Sequence, residues 1–212
     1  MTSAPYLIGI AGPSGAGKSY LASHLAARLP ASVLSLDRYY RDLSHLPAEE
    51  RAACNFDAPE SLQHELLIEQ VARLRNNETV DLPAYDFSRH TRAAATDVFR
   101  PAPIIVLEGL FTLYWPGLRK LLDTKVYIDT PAELCFARRL QRDVRDRGRT
   151  LESVEQQYTT TVAPMAERYV YPTISYADIV VHGDVPVAEA AVAVLEHHRR
   201  RLSSKSLVRG LS

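Results

Sequence analysis

The segment 12–19 (GPSGAGKS) limits what this chain can fold into more than any other stretch, because it fits the spacing G-x-x-x-x-G-K-[ST]. An apolar run at 6–11 precedes it and predicts a buried strand. Residues 20–29 follow with leucines at helical spacing, and Pro30 ends that pattern. A strand, a glycine-rich turn and a helix start together predict a phosphate-binding loop. Its glycines let backbone N–H groups face an anion, and the helix N-terminus adds unsatisfied donors.

We expect this loop to bind the phosphates of a nucleoside triphosphate, which we take to be ATP. Lys18 adds a mobile positive charge, and the Ser19 hydroxyl is placed to bind Mg²⁺. The residues expected to bind ATP are Gly12, Ser14, Gly15, Ala16, Gly17, Lys18, Ser19 and Tyr20. The loop by itself does not separate a kinase from a GTPase or a motor protein.

The composition narrows the class of protein. A length of 212 residues predicts one α/β domain with a small appendage. The 25 basic residues (Lys+Arg) equal the 25 acidic residues (Asp+Glu), so the chain has no net charge. This argues against a nucleic-acid-binding protein, whose binding surface is usually basic. No apolar stretch approaches about 18 residues and no leader-like segment opens the chain, so we expect a cytoplasmic protein without membrane contacts. The two cysteines, Cys54 and Cys135, match no metal spacing and are expected as reduced thiols.

Strand-like and helix-like segments alternate along the chain, which predicts parallel β-α-β units with right-handed crossovers. Further strands are expected at 32–36, 104–109, 125–129 and 176–181, and further helices at 61–76, 118–122, 131–147, 151–162 and 187–201. Pro164 is expected to interrupt the helical region, and residues 43–60 show little periodicity. The predicted fold class is α/β, with a parallel sheet of the P-loop NTPase type flanked by helices.

Two carboxylates are expected at the carboxyl ends of strands, where open α/β sheets bind ligands. Asp37 follows the strand at 32–36, and Glu108 lies near the end of the most apolar run in the chain. An acid at that edge beside a phosphate loop is the usual place for a group that organises Mg²⁺. The sequence therefore predicts functional roles for Asp37 and Glu108.

A β-hairpin insertion is expected at about 79–100, because two alternating runs flank a polar turn. The hairpin carries Tyr85, Phe87 and His90. From the spacing alone, these rings either bind a ligand or pack on the body of the protein.

The helix at 131–147 is dense in arginine and is expected to begin a lid over about 138–150. Its apolar positions Leu134, Ala137, Leu140 and Val144 predict one buried face. The arginines are Arg138, Arg139, Arg142, Arg145, Arg147 and Arg149, with Asp143 and Asp146 interleaved. Most are expected to form salt bridges on an exposed helix, and at least two are expected to contact phosphate.

These features favour a small-molecule kinase. The chain is too short for a motor with a lever, and it has no Asn-Lys-x-Asp motif of the kind that reads guanine. Phosphoryl transfer to a hydroxyl needs cations around the transferred group and a carboxylate that accepts the proton. We expect a single P-loop kinase domain over 1–202 and a flexible tail over 203–212.

The ordered motifs of the chain resemble the uridine kinase (uridine-cytidine kinase) family of P-loop kinases. The resemblance runs from Ile8 to about Asp184. Its motifs are the stretches 9–19, 37–42, 55–57, 85–92, 108–109, 138–149, 157–158, 164–165 and 176–179. It implies ATP-dependent phosphorylation of the 5′-hydroxyl of uridine or cytidine, a step of pyrimidine salvage, in a homotetramer.

The resemblance also implies residue roles. Asp37 would be the general base, Asp57 would hold the ribose hydroxyls, and Arg149 would face the nucleoside. The implied catalytic residues are Asp37, Lys18, Arg142 and Arg147. The implied substrate-binding residues are Asp57, Phe56, Tyr85, Phe87, His90, Arg139, Arg149 and Gln157. The implied metal-binding residues are Ser19, Glu108 and Asp37.

The chain departs from the family pattern after Asp57, where Ala58 replaces a histidine and residues 60–63 replace an acidic, aromatic end. Ser19 replaces the usual threonine and keeps the hydroxyl. Related phosphoribulokinases and pantothenate kinases share the loop and fold, so a kinase of that kind stays the alternative. A non-catalytic nucleotide sensor is a further alternative, against which Lys18, Asp37 and Glu108 argue.

Overall fold

A computed structural model describes residues 3–209, with a five-stranded parallel sheet at its centre. The strands follow the order β2-β5-β1-β6-β7, and every pairing between neighbours is parallel. Their bounds are β1 Tyr6–Ala11, β2 Ala31–Ser35, β5 Ile104–Glu108, β6 Thr124–Asp129 and β7 Ile179–His182, and the hairpin strands are β3 Val80–Asp86 and β4 Thr91–Phe99. The α/β fold class predicted from the sequence is confirmed.

Helices cover both faces of this sheet. They are α1 Lys18–Ala26, α2 Ala48–Ala53, α3 His64–Arg75, α4 Pro116–Leu121, α5 Ala132–Arg147, α6 Leu151–Gln157, α7 Ala163–Met165 and α8 Val187–Arg209. On one face, Leu7 of β1 packs in a cluster with Leu67 of α3. On the other face, Ile8 packs with Leu25 of α1 and Val194 of α8. Neighbouring residues of β1 thus serve opposite cores, as strand alternation requires.

The hairpin β3–β4 forms its own antiparallel sheet, with an irregularity in register between Pro83 and Tyr85. Arg92 fixes it to the body, because its guanidinium donates to the backbone oxygens of Tyr39 and Tyr40 and to the Gln63 side chain. The hairpin therefore stands over the carboxyl edge of the main sheet with a defined orientation.

Several helix bounds differ from the sequence-based expectations. Residues 43–60 contain α2, whose six residues are too few to show a period. Pro164 does not end a helix: the backbone continues through π-helical turns at Tyr158–Val162 and Ala166–Val170 that flank α7. Such turns accommodate a helix that lacks one backbone donor.

At the carboxyl end, 3-10 turns cover Tyr171–Tyr176, so the last strand begins later than expected. The helix α8 extends to Arg209, beyond the expected end at Arg201. Of the predicted tail 203–212, the part 210–212 lies outside the described residues. The helices of the described chain lack the combination of length and apolar character needed to cross a membrane.

The predicted buried face of α5 is wrong. Val144 is 42 % exposed and Ala137 is also exposed, whereas the buried residues are Cys135, Arg139 and Asp143. These three recur every four residues and face the phosphate loop and the cleft beside it. Cys135 packs in the core cluster that contains Leu25 of α1, whereas Arg139 and Asp143 form a buried polar pair beside the cleft.

Candidate active site

A cleft of about 1000 Å³ lies at the carboxyl edge of the sheet, between the loop after β1, the hairpin and α5. Nearly every residue singled out from the sequence lines it. These are Ser14, Gly15, Gly17, Lys18, Ser19, Tyr20, Asp37, Phe56, Asp57, Tyr85, Phe87, His90, Glu108, Arg139, Arg142, Arg147, Arg149 and Gln157. Gly12 and Ala16 belong to the same loop but are buried and do not line the cleft.

The loop after β1 has the backbone geometry of an anion cradle. Gly15 and Gly17 adopt left-handed φ angles of 86° and 98°. A side chain at Gly15 would overlap the backbone carbonyl of Cys135 on α5, whereas Gly17 has open space around it. Gly17 caps α1 without a side-chain hydrogen bond, so the first N–H groups of that helix are free to bind a ligand.

Lys18 and Ser19 begin α1 and place their side chains at the floor of the cleft. The Lys18 ammonium donates to the backbone oxygen of Pro13 at 2.9 Å. Burial lowers the pKa of Lys18, while the carboxylates of Glu108 and Asp37 act in the opposite direction. The Ser19 hydroxyl donates to Glu108 Oε2 at 3.1 Å, which joins the first helix to the end of β5.

Asp37 lies in a 3-10 turn, Leu36–Tyr39, directly after β2. Burial raises the pKa of its carboxyl to about 6, and repulsion from Glu108 adds to this effect. Lys18, Arg147 and Arg142 act in the opposite direction. A carboxylate with such a pKa is suited to accept a proton near neutral pH.

The residues Ser19, Glu108 and Asp37 fit a magnesium ion of the kind that kinases use. The described residues hold no group of three or more His, Cys, Asp or Glu side chains arranged around one metal position. Mg²⁺ in phosphoryl-transfer sites is usually held by one or two protein oxygens, waters and the substrate phosphates, and hence needs no such cage. The Ser19–Glu108 pair and the repulsion that Asp37 feels from Glu108 are consistent with that chemistry.

Asp57 is the second buried carboxylate of the cleft, with 7 % of its surface exposed. Its backbone N–H donates to the Asn55 side chain, which holds the turn before it. Arg139 Nη1 lies 3.8 Å from Asp57 Oδ1. Burial raises the pKa of Asp57, and Arg139 acts against that rise.

Aromatic rings form one wall of the cleft. Phe56 and His90 stack, with ring centroids 4.6 Å apart and planes 22° apart. His90 ends the hairpin turn with a left-handed φ of 55°, an uncommon conformation for a residue with a side chain. The Tyr85 hydroxyl is buried in the wall and has no hydrogen-bond partner among the described residues.

Three arginines of α5 and Arg149 just beyond its end gather around one buried acid, whereas Arg145 is exposed and pairs with Asp146. Asp143 has no exposed surface and pairs with Arg139, Arg142, Arg147 and Arg149. Arg139 also donates to Ser14 of the phosphate loop at 2.9 Å and to Gln157 at 3.0 Å. The expected salt bridges are present, but the arginines that pair with Asp143 line the cleft.

Tyr40 and Asp143 belong to the cleft region, and the sequence reasoning assigned no role to either. Tyr40 lines the cleft and contacts the rings of Phe56, Tyr85 and Phe87. The position of Tyr40 in the aromatic stretch after Asp37 could have indicated that it contributes to the site. Asp143 lies four residues after Arg139 and four before Arg147, which was the signal for a buried pairing.

Comparisons with known proteins show what the whole chain is similar to. Residues 7–189 match the model of the phosphoribulokinase and uridine kinase family. The chain is 44 % identical over 186 residues to a uridine kinase of Chloroflexus aurantiacus, covering 86 % of this chain and 89 % of the relative. It is 42 % identical over 203 residues to a uridine kinase of Aliivibrio fischeri, covering 92 % and 94 %.

Solved structures of kinases share the fold. A putative fructose transport system kinase from Silicibacter sp. superposes with a TM-score of 0.69 at 25 % identity, covering 85 % of this chain and 91 % of that one. A phosphoribulokinase from Rhodobacter spheroides superposes with a TM-score of 0.65 at 16 % identity, covering 85 % and 71 %. At the second of these identities, the likeness concerns the fold alone.

Proposed function

The chain belongs to the phosphoribulokinase and uridine kinase family, and we propose that it transfers the γ-phosphoryl group of ATP to the 5′-hydroxyl of uridine or cytidine. Membership in the family makes it a kinase with a hydroxyl acceptor. One observation carries the choice of acceptor. A single cleft joins the phosphate loop to two buried carboxylates, Asp37 and Asp57, and to a wall of aromatic rings.

In the proposed reaction, the 5′-oxygen of the nucleoside attacks the γ-phosphorus, and the bond to the β,γ-bridging oxygen breaks. Asp37 accepts the hydroxyl proton, and ADP leaves with the electron pair of the broken bond. Lys18, Arg142 and Arg147 neutralise the charge that spreads over the phosphoryl oxygens. Positioning and electrostatics carry the rate, because the protein forms no covalent bond.

Mg²⁺ is proposed as the metal, held by Ser19 with Glu108 and Asp37 beside it. When bound, it would supply positive charge that offsets the charge of the phosphates. The protein side chains hold the remaining geometry: Glu108 orients the Ser19 hydroxyl through the hydrogen bond between them.

The acceptor is held by groups whose chemistry matches a ribonucleoside. Asp57 has two acceptor oxygens for the ribose 2′- and 3′-hydroxyls, and Arg139 lies beside it. Phe56, Tyr85, Phe87 and His90 offer ring faces to a base, and the imidazole of His90 presents one donor and one acceptor. Arg149 and Gln157 also line the cleft.

A sugar-phosphate acceptor is the second candidate, and the hairpin weighs against it. Such a substrate needs cations beyond those of the lid. Arg92 is engaged with backbone oxygens of the body, and Arg89 lies exposed in the hairpin turn. Burial lowers the pKa of His90 and the nearby charge of Arg51 adds to this effect, so a cation lies near the hairpin and a sugar phosphate belongs in the assay.

A coupled ADP-release assay tests the proposal. Its acceptors are uridine, cytidine, adenosine, ribulose 5-phosphate, pantothenate and glycerate, with 5′-deoxyuridine as the matched control that lacks the reacting hydroxyl. We expect turnover with uridine and cytidine and none with 5′-deoxyuridine. Turnover with another acceptor alone would support a kinase but would contradict the nucleoside as its substrate. ATP binding without turnover on any acceptor would favour a nucleotide sensor. Replacing ATP by GTP compares the two donors.

The same proposal includes a homotetramer, a cytoplasmic location and one domain over 1–202 with the hairpin 79–100 and the lid 138–150 as its parts. The support is the resemblance to the family. Sedimentation equilibrium measures the mass of the assembly, and a monomer at micromolar concentration would reject the tetramer. Fractionation of cells that produce the chain tests its location.

A further inference from the structure

The buried carboxylate of Asp143 gathers arginines that the proposed function divides between two substrates. Its Oδ1 atom lies 2.8 Å from Arg142 Nη2 and 3.4 Å from Arg147 Nη1. Its Oδ2 atom lies 3.6 Å from Arg139 Nε and 3.5 Å from Arg149 Nη1. One oxygen therefore faces the arginines proposed for ATP, and the other faces the arginines proposed for the nucleoside.

The two sides of this carboxylate differ in how firmly they are bonded. Oδ1 accepts a hydrogen bond from Arg142 Nε at 2.9 Å. Within the described residues, Asp143 Oδ2 and Arg139 Nε are both buried without a hydrogen-bond partner, although they face each other at 3.6 Å. Unbonded buried polar atoms are unfavourable, so a contraction of a few tenths of an ångström between these two atoms lowers the free energy.

Positive charge exceeds negative charge in the cluster around Asp143. Guanidinium groups of four arginines surround the carboxylate of Asp143, and the carboxylate of Asp57 offsets part of this charge through Arg139, so positive charge remains in excess. A triphosphate in the loop offers oxygens that Arg142 and Arg147 can grip. As these two arginines turn to phosphate, the attraction of Asp143 is left to Arg139 and Arg149.

Arg139 carries such a change to both halves of the site. Besides Asp143, its guanidinium contacts Ser14 of the phosphate loop, Gln157 and Asp57. A shift of Arg139 toward Asp143 Oδ2 therefore changes the groups that hold the acceptor.

We propose that Asp143 is a positioning residue that couples the two substrates. Occupation of the phosphate site draws Arg142 and Arg147 from one oxygen of Asp143, and the other oxygen then fixes Arg139 and Arg149 over the acceptor. The inference rests on the proposed function, because it needs these arginines to face ATP and the nucleoside as stated.

The test compares the affinity for uridine with and without a non-hydrolysable ATP analogue and Mg²⁺, by calorimetry. In the wild type we expect the analogue to tighten uridine binding about tenfold. In Asp143→Asn we expect that factor to fall to about 1 and kcat to fall about 100-fold, because the negative charge that positions the arginines is lost. Asp143→Glu keeps the charge and should restore part of the coupling.

Glu133→Gln is the matched control, since Glu133 lies on the same helix, is exposed and does not line the cleft. It should keep the tenfold coupling. If Asp143→Asn does not fold, Arg149→Gln replaces it and should keep the affinity for the analogue while losing the coupling.

Two results would overturn the inference and leave the proposed function standing. One is a wild type that phosphorylates uridine but binds it equally with and without the analogue. The other is full coupling in Asp143→Asn, or in Arg149→Gln where that variant is used. If the wild type neither binds nor phosphorylates uridine, the proposed function fails, and the inference fails with it.

Discussion

The donor half and the acceptor half of the cleft are built in different ways. The donor half is mainly backbone: one contiguous loop with Gly15 and Gly17 in left-handed conformations and the open start of α1. The acceptor half is made of side chains from distant segments, such as Asp57, His90 and Arg139. A backbone cradle fixes one kind of ligand group, the phosphate, whereas a wall of side chains can change its substrate by single substitutions.

The largest effect is expected where the two halves meet. Asp37→Asn removes the proposed base and keeps the shape of the side chain, so kcat should fall about 1000-fold while the affinity for ATP stays within about twofold. Steady-state kinetics measures kcat, and calorimetry measures the affinity for ATP. An equal loss of ATP affinity would place Asp37 in the donor half and contradict the assignment.

A substitution in the donor half should act through backbone geometry. Gly15→Ala forces a left-handed residue with a side chain against the Cys135 carbonyl, so ATP affinity should fall about 100-fold and unfolding should become easier by about 3 kcal/mol. Gly17→Ala is the control, because it has the same backbone strain in open space and should cost about 1 kcal/mol. Equal effects of both on chemical denaturation would mean that contact with Cys135 is unimportant.

A substitution in the acceptor half should leave ATP binding nearly unchanged. Asp57→Asn weakens the hydrogen bonds proposed for the ribose hydroxyls, so the KM for uridine should rise about 30-fold with the KM for ATP within about twofold. Exposed Asp81 on the hairpin is the matched control, and Asp81→Asn should leave both constants unchanged. A rise in the KM for ATP alone would reverse the assignment of the two halves.

The smallest effect concerns the electrostatic link between the halves. The carboxyl of Asp37 should titrate with a pKa of about 6 in the free protein, mainly through burial, and Glu108→Gln should lower that pKa because a repelling charge is removed. Protonation below that pH removes the base, so activity should fall as the pH decreases. NMR of the labelled carboxyl measures it without interference from the phosphates of ATP, which titrate in the same range. An unchanged pKa in Glu108→Gln would contradict the repulsion.

Local patterns predicted much of the fold. The strands near 6–11 and 104–109 and the hairpin at 79–100 appear close to their expected bounds, since short apolar runs and alternation are local signals. The helix α2 was missed because its six residues span less than two turns. The roles of the individual site residues stay predictions, although most of them line one cleft.

The buried face of α5 shows where local pattern fails. Leu134, Ala137, Leu140 and Val144 form an apolar stripe in the sequence, yet the helix buries Arg139 and Asp143. Periodicity measures which face is apolar, and it assumes that the apolar face is the buried one. That assumption fails where a helix borders a charged site.

By itself the sequence determined the phosphate loop, the order of the strands along the chain, and the positions of Asp37 and Glu108 at strand ends. These features depend on residues that are neighbours in the chain, so spacing reveals them. Only the tertiary structure decided that Asp143 is buried among four arginines, that Tyr40 joins the aromatic wall, and that Phe56 meets His90. Such contacts join segments far apart in the chain or depend on the rotation of a helix, and neither is encoded in local spacing.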